Sequence, residues 1–146
     1  MNTLTRPDAL PVCDRGHVAV SVTRGSGLRR VCPECAVVDQ PEAVDLRMLG
    51  IDPMQGAMLR RGTGCPKCRS TGFRGRIGVF EMLRTTPGVQ RLIESAAAGS
   101  LIREQARRDG MRSMLEDGVS KVMRGITTAR EVAMLAAHDD VSPELR

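Results

Sequence analysis

Cys32-Pro33-Glu34-Cys35 and, after 29 intervening residues, Cys65-Pro66-Lys67-Cys68 form two Cys-x-x-Cys turns, each with proline directly after its first cysteine. Such a turn presents two sulfurs on one side, and two turns that face each other supply the four ligands of a tetrahedral site. The spacing predicts one structural zinc held by Cys32, Cys35, Cys65 and Cys68. Iron accepts the same four thiolates, but zinc is the commoner occupant of closed sites with this spacing. Four thiolates leave no open position for water, so the metal is expected to hold shape and to do no catalysis.

The 146-residue chain is long enough for one ordinary domain or two small modules. Its aromatics are Phe73 and Phe80 alone, with no Trp or Tyr, so aliphatic residues and nine methionines must fill any core. A small core of this kind gains from a metal crosslink. The formal charge is +5, carried almost wholly by arginine, because Lys67 and Lys121 are the only lysines. One zinc on four thiolates lowers that charge to about +3. The sequence has no apolar run of membrane-spanning length and no charged-then-apolar leader pattern, so a cytoplasmic location is expected. In a reducing compartment paired cysteines are expected to be metal ligands rather than disulfides.

Upstream of the knuckles, Val18, Val20 and Val22 alternate with small residues as a short strand would, and Arg24-Gly25-Ser26-Gly27 reads as a turn ending it. Residues 1–27 are otherwise expected to be irregular. Cys13 and His17 have a zinc-compatible spacing but no partner pair nearby, so Cys13 is expected to be a spectator thiol. Between the knuckles, Pro41 to Gly50 predicts a short helix with Val44, Met48 and Leu49 on its apolar face, packed over the metal. Gly62 and Gly64 supply the freedom to turn into the second knuckle. Residues 76–81 read as a strand in which Gly78 admits another backbone, and Arg74 and Arg76 lie close enough in sequence to offset the thiolate charge.

Glycine-punctuated helices follow. Thr86-Pro87 opens the first, which runs to Gly99; Ser100 caps a second, ending at Gly110; Met111 to Met123 form a third, stopped by Gly125. Thr128-x-x-Glu131 has the pattern of a capping box for a fourth. The methionines of the third helix are expected in the core. His138 to Arg146 read as a tail, with His138 solvent-exposed. The fold class expected is α+β, mainly α: a tetracysteine zinc subdomain with a returning strand over 28–86, then a helical bundle over 87–137.

The run Arg29-Arg30-Val31-Cys32-Pro33, then Leu49-Gly50, then Gly64-Cys65-Pro66-x-Cys68-x-x-Thr71-Gly72-Phe73-x-Gly75-Arg76-x-Gly78-x-x-Glu81 resembles the C-terminal region of the type II secretion and type IV pilus assembly ATPases. The resemblance continues through Arg107-Arg108-x-Gly110-Met111-Arg112-Ser113-Met114-x-x-Asp117-Gly118 and Lys121-Val122-x-x-Gly125-Ile126-Thr127, covering about 28 to 137. It implies that Cys32, Cys35, Cys65 and Cys68 hold zinc in a subdomain projecting from an ATPase core. It also implies that the Walker A loop, Walker B strand, acidic boxes and histidine box belong before the first knuckle, where residues 1–27 leave no room for them. The chain therefore resembles a detached C-terminal piece, and phosphoryl transfer by it alone is not expected.

The function expected is a zinc-stabilised interaction and structural module. Its expected partners are a full-length secretion or pilus ATPase or inner-membrane platform proteins, through which it would sit at the inner membrane without inserting. The alternative is a nucleic-acid-binding zinc module. Against it, bases would find almost no aromatic side chains to stack on, and arginines alternate with acids along the helices.

Overall fold

The computed structural model describes residues 20–52 and 59–140. Four strands and five α-helices make up these residues. Strand β1 (Val20–Val31) lies beside β4 (Phe73–Arg84), while the short strands β2 (Ala36–Val38) and β3 (Arg60–Gly62) pair antiparallel with Ala36 opposite Gly62. The helices are α1 (Ala43–Leu49), α2 (Pro87–Glu94), α3 (Gly99–Arg108), α4 (Met114–Met123) and α5 (Ala129–Asp140). The expected α+β, mainly helical class is the observed one. The described residues divide into two compact units, one holding those up to Thr23 and Glu81–Arg112, the other Arg24–Phe80 and the chain from Ser113 on.

In the larger unit, Leu28, Leu46, Leu49, Ile51, Leu59, Val79, Met114, Val122, Val132 and Ala133 form one buried aliphatic cluster. Helix α1 packs on α5, and α5 on α4. The α4–α5 approach needs Gly118, where a Cβ would lie 2.7 Å from Val132 Cγ1. Ser113 opens α4 through a full capping box: its hydroxyl accepts from the Glu116 N–H, and the Glu116 carboxylate accepts from the Ser113 N–H at 2.7 Å. Asp117 accepts from both Lys121 Nζ and the Phe80 N–H, so the nearly buried lysine is paired and β4 is tied to α4.

In the smaller unit α2 packs on α3 around fully buried Val89 and nearly buried Ala106. The expected Thr86 cap is present, its hydroxyl accepting from the Val89 N–H at 3.2 Å. The same hydroxyl donates to Asp109 Oδ2, while Gln105 donates to Asp109 Oδ1. One carboxylate thus joins the start of α2 to the end of α3.

Several local expectations are corrected. The Gly25–Gly27 turn does not occur: β1 runs straight through both glycines, because a Cβ at Gly25 would sit 3.1 Å from the Phe80 ring and one at Gly27 3.1 Å from the Arg76 guanidinium. Strand β4 is longer than 76–81, and the space over Gly78 is filled by the Phe80 ring rather than another backbone. Helix α1 buries Leu46 and Leu49 toward α5, while Val44 and Met48 are exposed. Gly50 does cap it, with φ 63°, and the Ile51 N–H reaches back to the Leu46 carbonyl. Helix α2 stops at Glu94, not Gly99, because Ala96 turns left-handed and the Ala97 N–H takes the Leu92 carbonyl. Gly99 instead begins α3, which has no side-chain cap from Ser100. Helix α4 starts at Met114, three residues later than expected. Helix α5 continues to Asp140, into the stretch read as tail.

The Thr128-x-x-Glu131 box is only half made. Thr128 accepts from the Glu131 N–H at 3.3 Å, but the Glu131 carboxylate turns to β1, accepting from the Arg29 N–H at 3.0 Å and from the Arg29 guanidinium at 3.0 and 2.6 Å. Arg29 also stacks 4.2 Å over the Phe73 ring, and its carbonyl accepts from the fully buried Thr127 hydroxyl. Burial alone would raise the Glu131 carboxyl; the hydrogen bonds and charge of Arg29 outweigh it and hold the group below its ordinary 4.5. A depressed folded pKa means stability that is present above about 4.5 and lost as pH falls through the folded value. Urea unfolding should therefore place Glu131→Ala about 1–3 kcal/mol below the parent near pH 7. That gap is expected to narrow as pH falls below 4.5, and a gap constant with pH would show that the carboxylate's charge does not matter.

Candidate metal centre

Both knuckles are single 3-10 turns, Pro33–Cys35 and Pro66–Cys68, with proline at the first position, where a missing N–H costs nothing. The second is the more constrained. Arg69 and Ser70 adopt left-handed backbone at φ 53° and 59°, and Gly72 follows at φ 75°. Consecutive non-glycine residues in that region are costly and persist where surrounding bonds over-determine them. Here the Cys65 carbonyl accepts from both the Cys68 and Ser70 N–H groups. The Thr71 hydroxyl donates to the Cys68 carbonyl at 2.6 Å and accepts from the Phe73 N–H. This is why Thr71-Gly72-Phe73 directly follows the last cysteine.

The two knuckles are joined by backbone. Cys32 N–H donates to the Gly72 carbonyl at 2.9 Å, and Thr63 N–H donates to the Cys35 carbonyl at 3.1 Å. Gly62 and Gly72 meet so closely that a Cβ on Gly62 would lie 2.0 Å from the Gly72 oxygen. Gly62 is thus needed for contact, whereas Gly64 is needed for both contact and turn: its φ is 97° and a Cβ there would lie 2.9 Å from the Ser70 carbonyl oxygen.

The Sγ atoms of Cys32, Cys35, Cys65 and Cys68 all lie within 4.8 Å of one another, with Cys32 and Cys68 buried. The Cys32–Cys65 and Cys35–Cys68 sulfur separations are 3.9 Å and the Cys65–Cys68 separation is 3.7 Å. A disulfide would need about 2.05 Å. Four sulfurs at about 2.3 Å from a central Zn²⁺ stand about 3.8 Å apart, so the donor set fits a tetrahedral cation. The thiols differ electrostatically. Burial pushes Cys68 up, but N–H groups of Cys65 and Gly72 donated to its sulfur more than reverse this and bring it from 9.0 to about 6. Burial raises Cys35 to about 11, with the neighbouring sulfurs adding to the rise. A cation in the centre displaces the remaining protons, so its binding weakens as pH falls.

The four cysteines singled out by their spacing are thus together. Arg76 is not turned to the sulfurs; it donates to the Gly27 carbonyl at 2.8 Å. Cys13, His17 and Val18 lie outside the described residues, and His138 lies on α5. No local pattern foretells the joining of Arg29 to Thr127 and Glu131, which lie 98 and 102 residues along the chain.

A family model described as "Type II/IV secretion system protein" matches residues 18–134. The chain is 40% identical over 107 residues to the type IV pilus assembly ATPase PilB of Thermus thermophilus, covering 72% of this chain and 12% of that protein. It is 35% identical over 105 residues to the type II secretion system ATPase E of Vibrio cholerae, covering 72% of this chain and 21% of the relative. PilB of Pseudomonas aeruginosa is 32% identical over 106 residues, 71% of this chain and 19% of its own length. The chain thus spans about a fifth or less of these relatives.

Proposed function

The chain belongs to the type II/IV secretion system protein family, and from that premise we propose that it is a zinc-stapled structural and interaction module of a secretion or pilus machine. The observation that carries this is the cluster of four sulfurs at tetrahedral spacing inside the matched region. Zinc, bound by Cys32, Cys35, Cys65 and Cys68, would complete the joint between the two knuckles; all four positions are filled by thiolate, which supports a role in shape rather than catalysis. The zinc subdomain over 28–86 and the helical module over 87–137 are proposed as its two parts. The chain contains no Gly-Lys-Ser/Thr stretch to cradle phosphates, which supports assigning it contact and not phosphoryl transfer.

The partners proposed are a full-length secretion or pilus ATPase, as in the names of the relatives, or the membrane platform that such an ATPase serves. Attachment at the cytoplasmic face of the inner membrane would be through them. Among the described residues no helix is long and apolar enough to cross a membrane. Elemental analysis should find about one zinc per chain, and the tagged chain should co-purify with the host's secretion or pilus ATPase or its platform protein. Recovery of neither, together with micromolar, salt-sensitive binding to arbitrary DNA, would replace this assignment with a nucleic-acid-binding one.

A further inference from the structure

Beside the first knuckle, an open cleft of about 310 Å³ is lined by Arg30, Arg60 and Arg124 with Pro33, Met123 and Ile126 among its apolar walls, and by no acidic residue. The three arginines come from distant parts of the chain. Arg30 is at the end of β1, Arg60 begins β3, and Arg124 follows the last turn of α4. All three are exposed and, among the described residues, none has an acidic partner, whereas Arg29, Arg61 and Arg108 are paired with Glu131, Asp39 and Glu104. Their placement is built into the fold. The Val31 N–H donates to the Ile126 carbonyl at 2.9 Å, which fixes the end of β1 against the turn after α4. The Arg60 stem lies so closely over Gly125 that a Cβ there would be 2.8 Å from its Cδ.

We propose that this cleft binds an acidic–apolar peptide segment of a partner protein, its carboxylates on the three guanidiniums and its apolar side chains on the walls. The inference rests on the module assignment above and gives the chemistry of the partner. Guanidinium forks match carboxylates and phosphates alike, so the cleft's other donors decide between them. A compact phosphate is typically cradled by converging backbone N–H groups. Here the N–H groups of Val31, Gly125 and Ile126 are spent on the carbonyls of Ile126, Val122 and Lys121. Recognition falls to separated side chains with apolar surface between them, which suits carboxylates spaced along a chain. The volume is at the lower end of the range for ligand clefts, enough for a few side chains.

The test uses the zinc-loaded full chain and a fluorescein-labelled peptide of about 12 residues alternating Glu or Asp with Leu, read by anisotropy. The Arg30→Gln, Arg60→Gln, Arg124→Gln triple variant should bind roughly tenfold or more weakly, each single variant two- to fivefold, as exposed ion pairs predict. Arg103→Gln, on α3, should bind like the parent. Salt should weaken parent binding more than binding by the triple variant. Unchanged affinity in the triple variant would overturn the proposal. So would displacement of the peptide by inorganic phosphate at millimolar level or by duplex DNA at equal concentration, or loss of zinc from the triple variant, which would assign the arginines to the thiolates. Co-purification separates the two levels. If parent and triple variant recover the partner equally, the module assignment stands and the cleft fails; arginine-dependent peptide binding with no partner recovered gives the reverse.

Discussion

Stripping the metal from a zinc-loaded preparation with a chelator should abolish the cooperative thermal transition of the unit that contains the knuckles. Structural zinc in small modules supplies on the order of 10 kcal/mol of folding free energy, as much as the whole net stability of a typical domain. The core here is aliphatic and modest, with Val79, Val122 and Val132 its largest fully buried apolar side chains, so little else replaces that contribution. Cys32→Ser, at the fully buried member of the sulfur cluster, should act like chelation, and readdition of zinc should restore the parent but not the variant. Calorimetry with and without chelator checks this. A transition unmoved by metal removal would end the structural role assigned to the site.

The second large effect is expected from the smallest substitution. Gly62→Ala places a methyl group 2.0 Å from the Gly72 carbonyl oxygen, with Gly72 backbone carbon atoms 2.6 Å away. No side chain can swing aside, because every atom met is backbone, and Gly72 itself carries the N–H that donates to Cys68 Sγ and the carbonyl that accepts from Cys32. A loss of roughly 3–5 kcal/mol is expected, above the usual range for overpacking because the obstacle is rigid. Zinc affinity should fall with it. Gly110→Ala is the control: its φ is 92° but nothing lies within 4 Å of the added Cβ, so only the backbone cost of about 1 kcal/mol applies. Urea denaturation of the two variants, with zinc content measured in parallel, tells contact from conformation. Equal losses would refute the close-approach explanation.

What could be read from the sequence was local. Two Cys-x-x-Cys turns, the Thr86 cap and the Gly50 stop each depend on residues within a few positions of one another, and each is found where it was expected. The features missed are settled by partners far along the chain. Gly25 and Gly27 look like a turn until the Phe80 ring and Arg76 guanidinium occupy the space beside them. Val44, Met48 and Leu49 look like the buried face of α1, but of these only Leu49 is buried, and Leu46 joins it against α5. The Glu131 carboxylate has the spacing of a capping residue, yet Arg29 offers it three donors where its own helix offers one. A capping pattern in sequence therefore identifies a helix start without identifying where its acid points. At the sulfur cluster the four cysteines were legible, and the tie between Gly62 and Gly72 was not.

The reach of Arg29 also sets an order of events during synthesis. Its partners Thr127 and Glu131 lie 98 and 102 residues downstream, whereas all four sulfurs have been made once Cys68 is in place. At about 5–20 residues per second, a ribosome needs several seconds to pass from Cys68 to Glu131. The four cysteines leave the ribosome ahead of Glu131, and until it follows the clasp on β1 has nothing to grip. Long-range contacts of this kind are slow to form because the intervening loop must first be closed. A cation held by the four sulfurs would therefore be captured before the last helix docks, so a shortage of zinc would be felt by the nascent chain before Arg29 meets its partners.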